Sequence, residues 1–205
     1  MMQGSNPIVL VIIIANVLFS MKGFDDYSFL DKYKFQVGRV LGKEKIRMLT
    51  SGFLHVDWMH LGFNMYALYM FGDFVAGILG TTSFLYTLHY HKNEPYYSAV
   101  GASGAVSGIV YSSILVFPDM QLLLFFAIPI PGYVFAVGYL LYSIYGMKKQ
   151  VGNIGHAAHL GGTIGGFALT LLLNPILFRT NSALVIMLAI PIILVLLFGD
   201  KLKNL

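Results

Sequence analysis

Residues 183–199 contain no polar side chain, and the first group beyond them that water would hold is Asp200. A run of that length falls within the roughly 17–25 apolar residues that a helix needs to cross a bilayer. A second such run starts at Pro7 and continues to about Gly23. Of the 205 residues, 57% are hydrophobic and only 11% are charged, against about 45–50% and about 25% in soluble domains. So few charges cannot coat a water-facing surface, and lipid has to be the main solvent. The expectation is an all-α, polytopic transmembrane helix bundle.

Composition also excludes several classes. The formal net charge of +4 is small, and no basic run is interleaved with aromatics, so nothing points to nucleic acid. Without Cys there is no thiol catalysis, thiolate metal site or disulfide. MMQGSNP carries no basic n-region, and no small-residue cleavage site follows the apolar run after it. That run is therefore expected to be a retained first helix and not a signal peptide.

Six core spans and a seventh C-terminal span or stem helix are expected. The first runs from Pro7 to about Gly23, and the second from near Trp58 through His60 and Asn64 towards Phe71. Between them, residues 22–57 hold seven of the thirteen Lys and Arg residues, mixed with aromatics. That mixture suits an amphipathic loop lying in the interface. If the second helix continued to Gly80, only Thr81–Tyr90 would be left to return, about 15 Å of helix against a core of about 30 Å. A tight turn at Gly72-Asp73 followed by a short third span, about Phe74 to Tyr90, is the better reading. The fourth span opens at Ser103 and stops before Pro118-Asp119. The fifth covers about Leu122 to Gly146, with a kinked or re-entrant start at Pro129 and Pro131. The sixth runs from about Asn153 to Leu173. Residues 1–180 form the membrane domain on this reading, and residues 181–205 a hydrophobic helix with a short polar tail.

Polar residues inside spans are costly and usually functional, and three clusters stand out. Gly101-Ala102-Ser103-Gly104 puts a serine among glycines at the start of a helix, where backbone N–H groups lack helical partners and can meet an oxyanion. A serine capping its own helix is the plainer explanation. In His156-Ala157-Ala158-His159, an imidazole in a glycine-rich span can serve as the base a serine needs. Two histidines at this spacing could equally be a metal pair or packed core residues. Gly161, Gly162, Gly165 and Gly166, with Gly104 and Gly108 on the serine helix, form small faces that let helices approach closely. The third cluster runs from His55 to Asn64. His60 and Asn64 share one helix face and can both donate hydrogen bonds, though such residues also glue helices together.

Together the clusters resemble the rhomboid family of intramembrane serine proteases. The matching residues are the HxxxxHxxxN array of His55, His60 and Asn64, the GxSG of Gly101–Gly104 and the AHxxG of Ala158–Gly162. They occur in the family's order, and the resemblance covers about residues 7–174. It implies a Ser–His dyad, with Ser103 as nucleophile and His159 as base. The oxyanion hole would comprise the His60 and Asn64 side chains and the Ser103 backbone N–H. His55, Gly101 and Gly104 would support the site. No metal or other cofactor is implied. The implied partners are transmembrane protein substrates and the lipid bilayer, with no nucleic acid and no oligomeric state specified. The implied location is a multi-pass cell (inner) membrane protein with its active site facing outside, although the positive-inside tendency of residues 22–57 argues the reverse.

The sequence departs from the family pattern in three places. Ile46-Arg47 stands where a Trp-Arg pair is typical. Ser107 stands where some members carry a Tyr under the catalytic His, so a less rigidly held base is expected. The stretch between Asn64 and Ser103 is short for a full third span. Two other readings stand beside the protease. One is a catalytically inactive rhomboid-like protein that binds transmembrane segments. The other is a metal-dependent membrane enzyme or transporter using His55, His60, His156 and His159, with Asp57 and Asp73 as the nearest acids.

Overall fold

A segment surrounded by lipid must satisfy its backbone polar groups internally, which favours helices. The computed structural model describes residues 7–72, 85–124, 127–152 and 154–203, and it is mostly helical. Helix α1 (Pro7–Asp25) points Ile8, Val11, Ile14 and Leu18 outward and turns Val9, Asn16, Ser20 and Gly23 inward. Its uncharged polar residues Asn16 and Ser20 thus lie on the packed face, whereas Lys22 and Asp25 at its end are exposed. By length and composition, α1 and the helix His156–Leu173 are long and apolar enough to cross a membrane.

The first loop is folded into short helices. Asp26 caps α2 (Tyr27–Tyr33) by accepting from the Phe29 N–H at 3.1 Å and the Ser28 hydroxyl at 2.7 Å. Helices α3 (Val37–Leu41) and α4 (Arg47–Thr50) follow, then a 3-10 turn over Ser51–Phe53. Arg47 is buried at their centre, donating to the carbonyls of Asp31 (2.8 Å) and Lys34 (2.9 Å) and to Glu44 (2.5 Å). A buried guanidinium left without such acceptors would be strongly destabilising. Ile46 beside it is exposed.

Helix α5 (Trp58–Phe71) is capped by Asp57, whose carboxylate accepts from the His60 N–H at 2.7 Å. It ends at Phe71, directly before the expected turn at Gly72-Asp73. Asp73 and the expected third span up to residue 84 lie outside the described residues, and residues 85–90 are helical. The chain then docks on the first loop. Strand β1 (Phe35–Gln36) pairs antiparallel with β2 (Ser98–Ala99), and the Gly38 N–H reaches the Pro95 carbonyl at 2.9 Å.

Helix α6 (Ser103–Val116) leads to a hairpin of β3 (Gln121–Leu124) and β4 (Ile128–Pro131), and α7 (Gly132–Lys149) begins only after it. This corrects the expected helical start at Leu122. Pro129 and Pro131 have no N–H to give a helix, and a two-stranded edge tolerates them. Helix α8 (His156–Leu173) packs on α6 and α7, α5 on α1 and α6, and α10 (Ser182–Lys203) on α7. Ahead of α10 comes the short α9 (Leu177–Thr180), and Asn181 between them donates to the Leu115 carbonyl at 2.8 Å.

Candidate active site

Helices α6 and α8 meet backbone to backbone. A methyl group on Gly162 would lie 1.7 Å from the Gly104 carbonyl oxygen, and one on Gly166 would lie 2.2 Å from that of Gly108. The small faces expected from the glycine spacing are therefore the ones in contact. One turn below, Thr170 Oγ1 lies 2.8 Å from Ser112 Oγ, tying the helices with a side-chain hydrogen bond. This approach brings Ser103, the first residue of α6, to His159 in the first turn of α8. Their Oγ and Nε2 atoms are 2.8 Å apart.

Gly101 supplies the next corner. Its φ of +117° is a conformation that side chains resist. A Cβ there would also meet His60 Cε1 at 2.7 Å and Nε2 at 2.8 Å, while lying 3.6 Å from Ser103 Oγ. Only glycine lets the His60 ring come this close to the serine. Asn64, one turn along α5, is buried and donates one Nδ2 hydrogen to the His60 carbonyl at 2.8 Å. Its amide has a second hydrogen to offer. Ser103 opens its helix, so its backbone N–H faces no helical carbonyl. A serine hydroxyl and an imidazole thus stand together, with the His60 ring beside them and Asn64 one turn along the same helix.

His55 is fully buried and links α1 to the serine loop. The Ala102 N–H donates to its Nε2 at 3.4 Å, so the other nitrogen carries the proton and faces Ser20 Oγ at 2.9 Å. Ser20 Oγ also lies 3.1 Å from the Phe53 carbonyl. Burial, with the His60 ring adding to it, pushes the His55 imidazole down to about 3, which keeps it neutral as this bonding requires.

His156 stands apart from this chemistry. Its Nε2 lies 3.0 Å from the Val151 carbonyl, and its ring presses on Gly146, where a methyl would come within 2.2 Å of it. It clasps the loop before α8. Asp57 is engaged as the α5 cap, and Asp73 lies outside the described residues. Among the described residues no group of three or more His, Asp or Glu side chains could hold a metal ion.

Two neighbours of the site had no signal in the sequence. One is Ser20, which reads there as an ordinary small polar residue in the first span. The other is Tyr139 on α7, whose ring stacks on His159 with centroids 5.8 Å apart and planes inclined by 25°. An aromatic ring therefore lies against the imidazole although position 107 holds a serine.

The Rhomboid domain family matches residues 42–176. The chain is 32% identical over 157 residues to Rhomboid protein 1, mitochondrial, of Saccharomyces cerevisiae, covering 68% of this chain and 45% of that protein. It is 26% identical over 193 residues to RHOMBOID-like protein 12, mitochondrial, of Arabidopsis thaliana, covering 78% of this chain and 57% of the relative. It is 29% identical over 137 residues to the human Presenilin-associated rhomboid-like protein, mitochondrial, covering 58% and 35%. The match thus spans about half the length of these relatives or less. Their names correct one expectation. All three are mitochondrial proteins, which overturns the assignment to a cell (inner) membrane with the site facing outside.

Proposed function

Since the chain belongs to the rhomboid family of membrane-embedded serine proteases, we propose that it is an endopeptidase that cuts transmembrane segments of other membrane proteins with a Ser103–His159 dyad. The observation that carries this reading is the 2.8 Å contact between Ser103 Oγ and His159 Nε2, within the range needed for proton transfer. His159 Nε2 takes the hydroxyl proton as Oγ attacks the scissile carbonyl carbon. The negative charge moves to the carbonyl oxygen, where the His60 and Asn64 side chains and the Ser103 N–H receive it. Collapse of this adduct breaks the C–N bond, and the proton on Nε2 passes to the leaving amine. Water, deprotonated by the same imidazole, then attacks the acyl ester, and that proton passes from Nε2 to Ser103 Oγ as the acid leaves.

The supporting bundle is proposed as six core spans, five of which, α1, α5, α6, α7 and α8, lie among the described residues. Helix α10 is a seventh, C-terminal element outside the domain of residues 1–180. By analogy with its mitochondrial relatives, the proposed place of action is a mitochondrial membrane. Incubating the purified chain in detergent or liposomes with a model transmembrane substrate tests the reading. Cleavage by the native protein and none by Ser103→Ala is the expected result. Equal cleavage by both removes the proposed nucleophile, and a folded native protein without activity favours the segment-binding, inactive alternative.

A further inference from the structure

In a Ser–His–Asp arrangement a carboxylate orients the imidazole through Nδ1. Here, among the described residues, His159 Nδ1 has no hydrogen-bond partner. With one nitrogen bound, the ring is free to swing about that bond unless a face is held. Tyr139 holds a face, and Phe135, one turn earlier on α7, stacks behind it at 5.5 Å and 13°.

The other end of Tyr139 reaches the nucleophile's helix. Its hydroxyl lies 2.7 Å from Ser107 Oγ, and Ser107 Oγ donates to the Ser103 carbonyl at 2.8 Å. A serine hydroxyl has one proton, so with that proton on the Ser103 carbonyl, Tyr139 is the donor to Ser107. The four residues close a circuit. Ser103 bonds to His159, His159 stacks on Tyr139, Tyr139 donates to Ser107, and Ser107 returns to the carbonyl of Ser103. A tyrosine that merely filled space between α6, α7 and α8 would not need to engage the base with its ring and the serine's own turn with its hydroxyl.

We propose that Tyr139 is the positioning residue of His159, holding the imidazole by stacking while Ser107 fixes the tilt of the tyrosine ring. This rests on the protease reading above. Stacking supplies here the orientation that a carboxylate supplies elsewhere, and a base displaced by about 1 Å loses about a hundredfold in rate.

The test compares Tyr139→Leu, Tyr139→Phe and Ser107→Ala with the native chain in detergent. Measurements are kcat and KM on a model transmembrane substrate, the rate of Ser103 phosphonylation by a fluorophosphonate, and the thermal midpoint. Tyr139→Leu should lower kcat and phosphonylation about ten- to a hundredfold with KM near native, at temperatures well below its own midpoint. Tyr139→Phe keeps the ring but loses the bond to Ser107, so it should recover most but not all of the rate, and Ser107→Ala should show the same small loss. If Tyr139→Leu does not fold, Tyr139→Met carries the same comparison. Phosphonylation of the Leu variant at the native rate overturns the proposal, as does a Phe variant as slow as Leu or losses that disappear when each variant is assayed well below its midpoint. A native protein that neither labels nor cleaves removes the protease reading and this one with it. An active native protein with an unimpaired Leu variant removes this one alone.

Discussion

Gly162 and Gly104 touch through their backbones, with no room between them for a methyl group. Gly104 follows the proposed nucleophile and Gly162 lies one turn beyond the proposed base, so the contact sets the distance across the site. Gly162→Ala and Gly166→Ala must push α6 and α8 apart. Overpacking of this kind costs about 1–3 kcal/mol, and it should lower both the thermal midpoint and the cleavage rate. Gly138 on α7 has open space around its Cα, so Gly138→Ala should leave both near native. Equal tolerance at all three positions would disprove the tight seam.

The dyad predicts that Ser103→Ala and His159→Ala are similarly inactive, each by at least about ten-thousandfold, because a nucleophile and its base act as one unit. Fluorophosphonate labelling of Ser103 should collapse in His159→Ala. His156→Ala should instead lower the thermal midpoint, through loss of its clasp on the Val151 carbonyl, and retain substantial turnover. Chelators should leave native turnover unchanged. If His156 proved as necessary as His159, or chelators stopped the reaction, a metal reading would replace the dyad.

The oxyanion donors predict a different pattern. Losing one donor typically costs about a hundred- to a thousandfold in kcat. His60→Ala and Asn64→Ala should each fall in this range with little change in KM. Gly101→Ala leaves every donor in place but drives a methyl into the His60 ring, and it should cost at least as much as His60→Ala. Steady-state kinetics of the three variants decide this, and a fully active Gly101→Ala would contradict the proposed arrangement around Ser103.

His55 predicts a pH dependence of stability. The unfolded chain binds a proton at this imidazole below its ordinary value of 6.5, whereas the folded chain resists it down to about 3. Between those values the unfolded state holds more protons, so stability rises with pH and is lost on acidification through that window. One group contributes at most about 1.4 kcal/mol per pH unit. His55→Gln can still accept from Ala102 and donate to Ser20 without titrating. Thermal midpoints measured from pH 7.5 down to 4.5 should therefore fall less steeply in His55→Gln than in the native chain. Identical slopes would assign the acid sensitivity to other groups.

How far the sequence reveals all this depends on where each partner lies. The glycines of α6 and α8 repeat at helical spacing within their own segments, so the close crossing is readable without knowing the fold. The His60–Asn64 face is local in the same way. The β3–β4 hairpin is not readable, because residues 122–128 form a continuous apolar run that periodicity cannot assign to helix or strand. Tyr139 escapes notice for another reason. Position 107 reads as the loss of an aromatic, and nothing within α7 says which of its tyrosines will lie over His159. Ser20 acquires meaning only when α1 is set beside the first loop.

The hydrogen-bonded pair at the centre of the site is separated by 56 positions in the chain. During synthesis Ser103 therefore leaves the ribosome well ahead of the imidazole that is to activate it. A serine hydroxyl without a base is a poor nucleophile, so on the proposed mechanism the chain is disarmed until that imidazole is in place. Chains ending before His159 should be inert even when they are correctly threaded. On the proposed mechanism, seating α8 along the glycine faces of α6 is the step that completes the site.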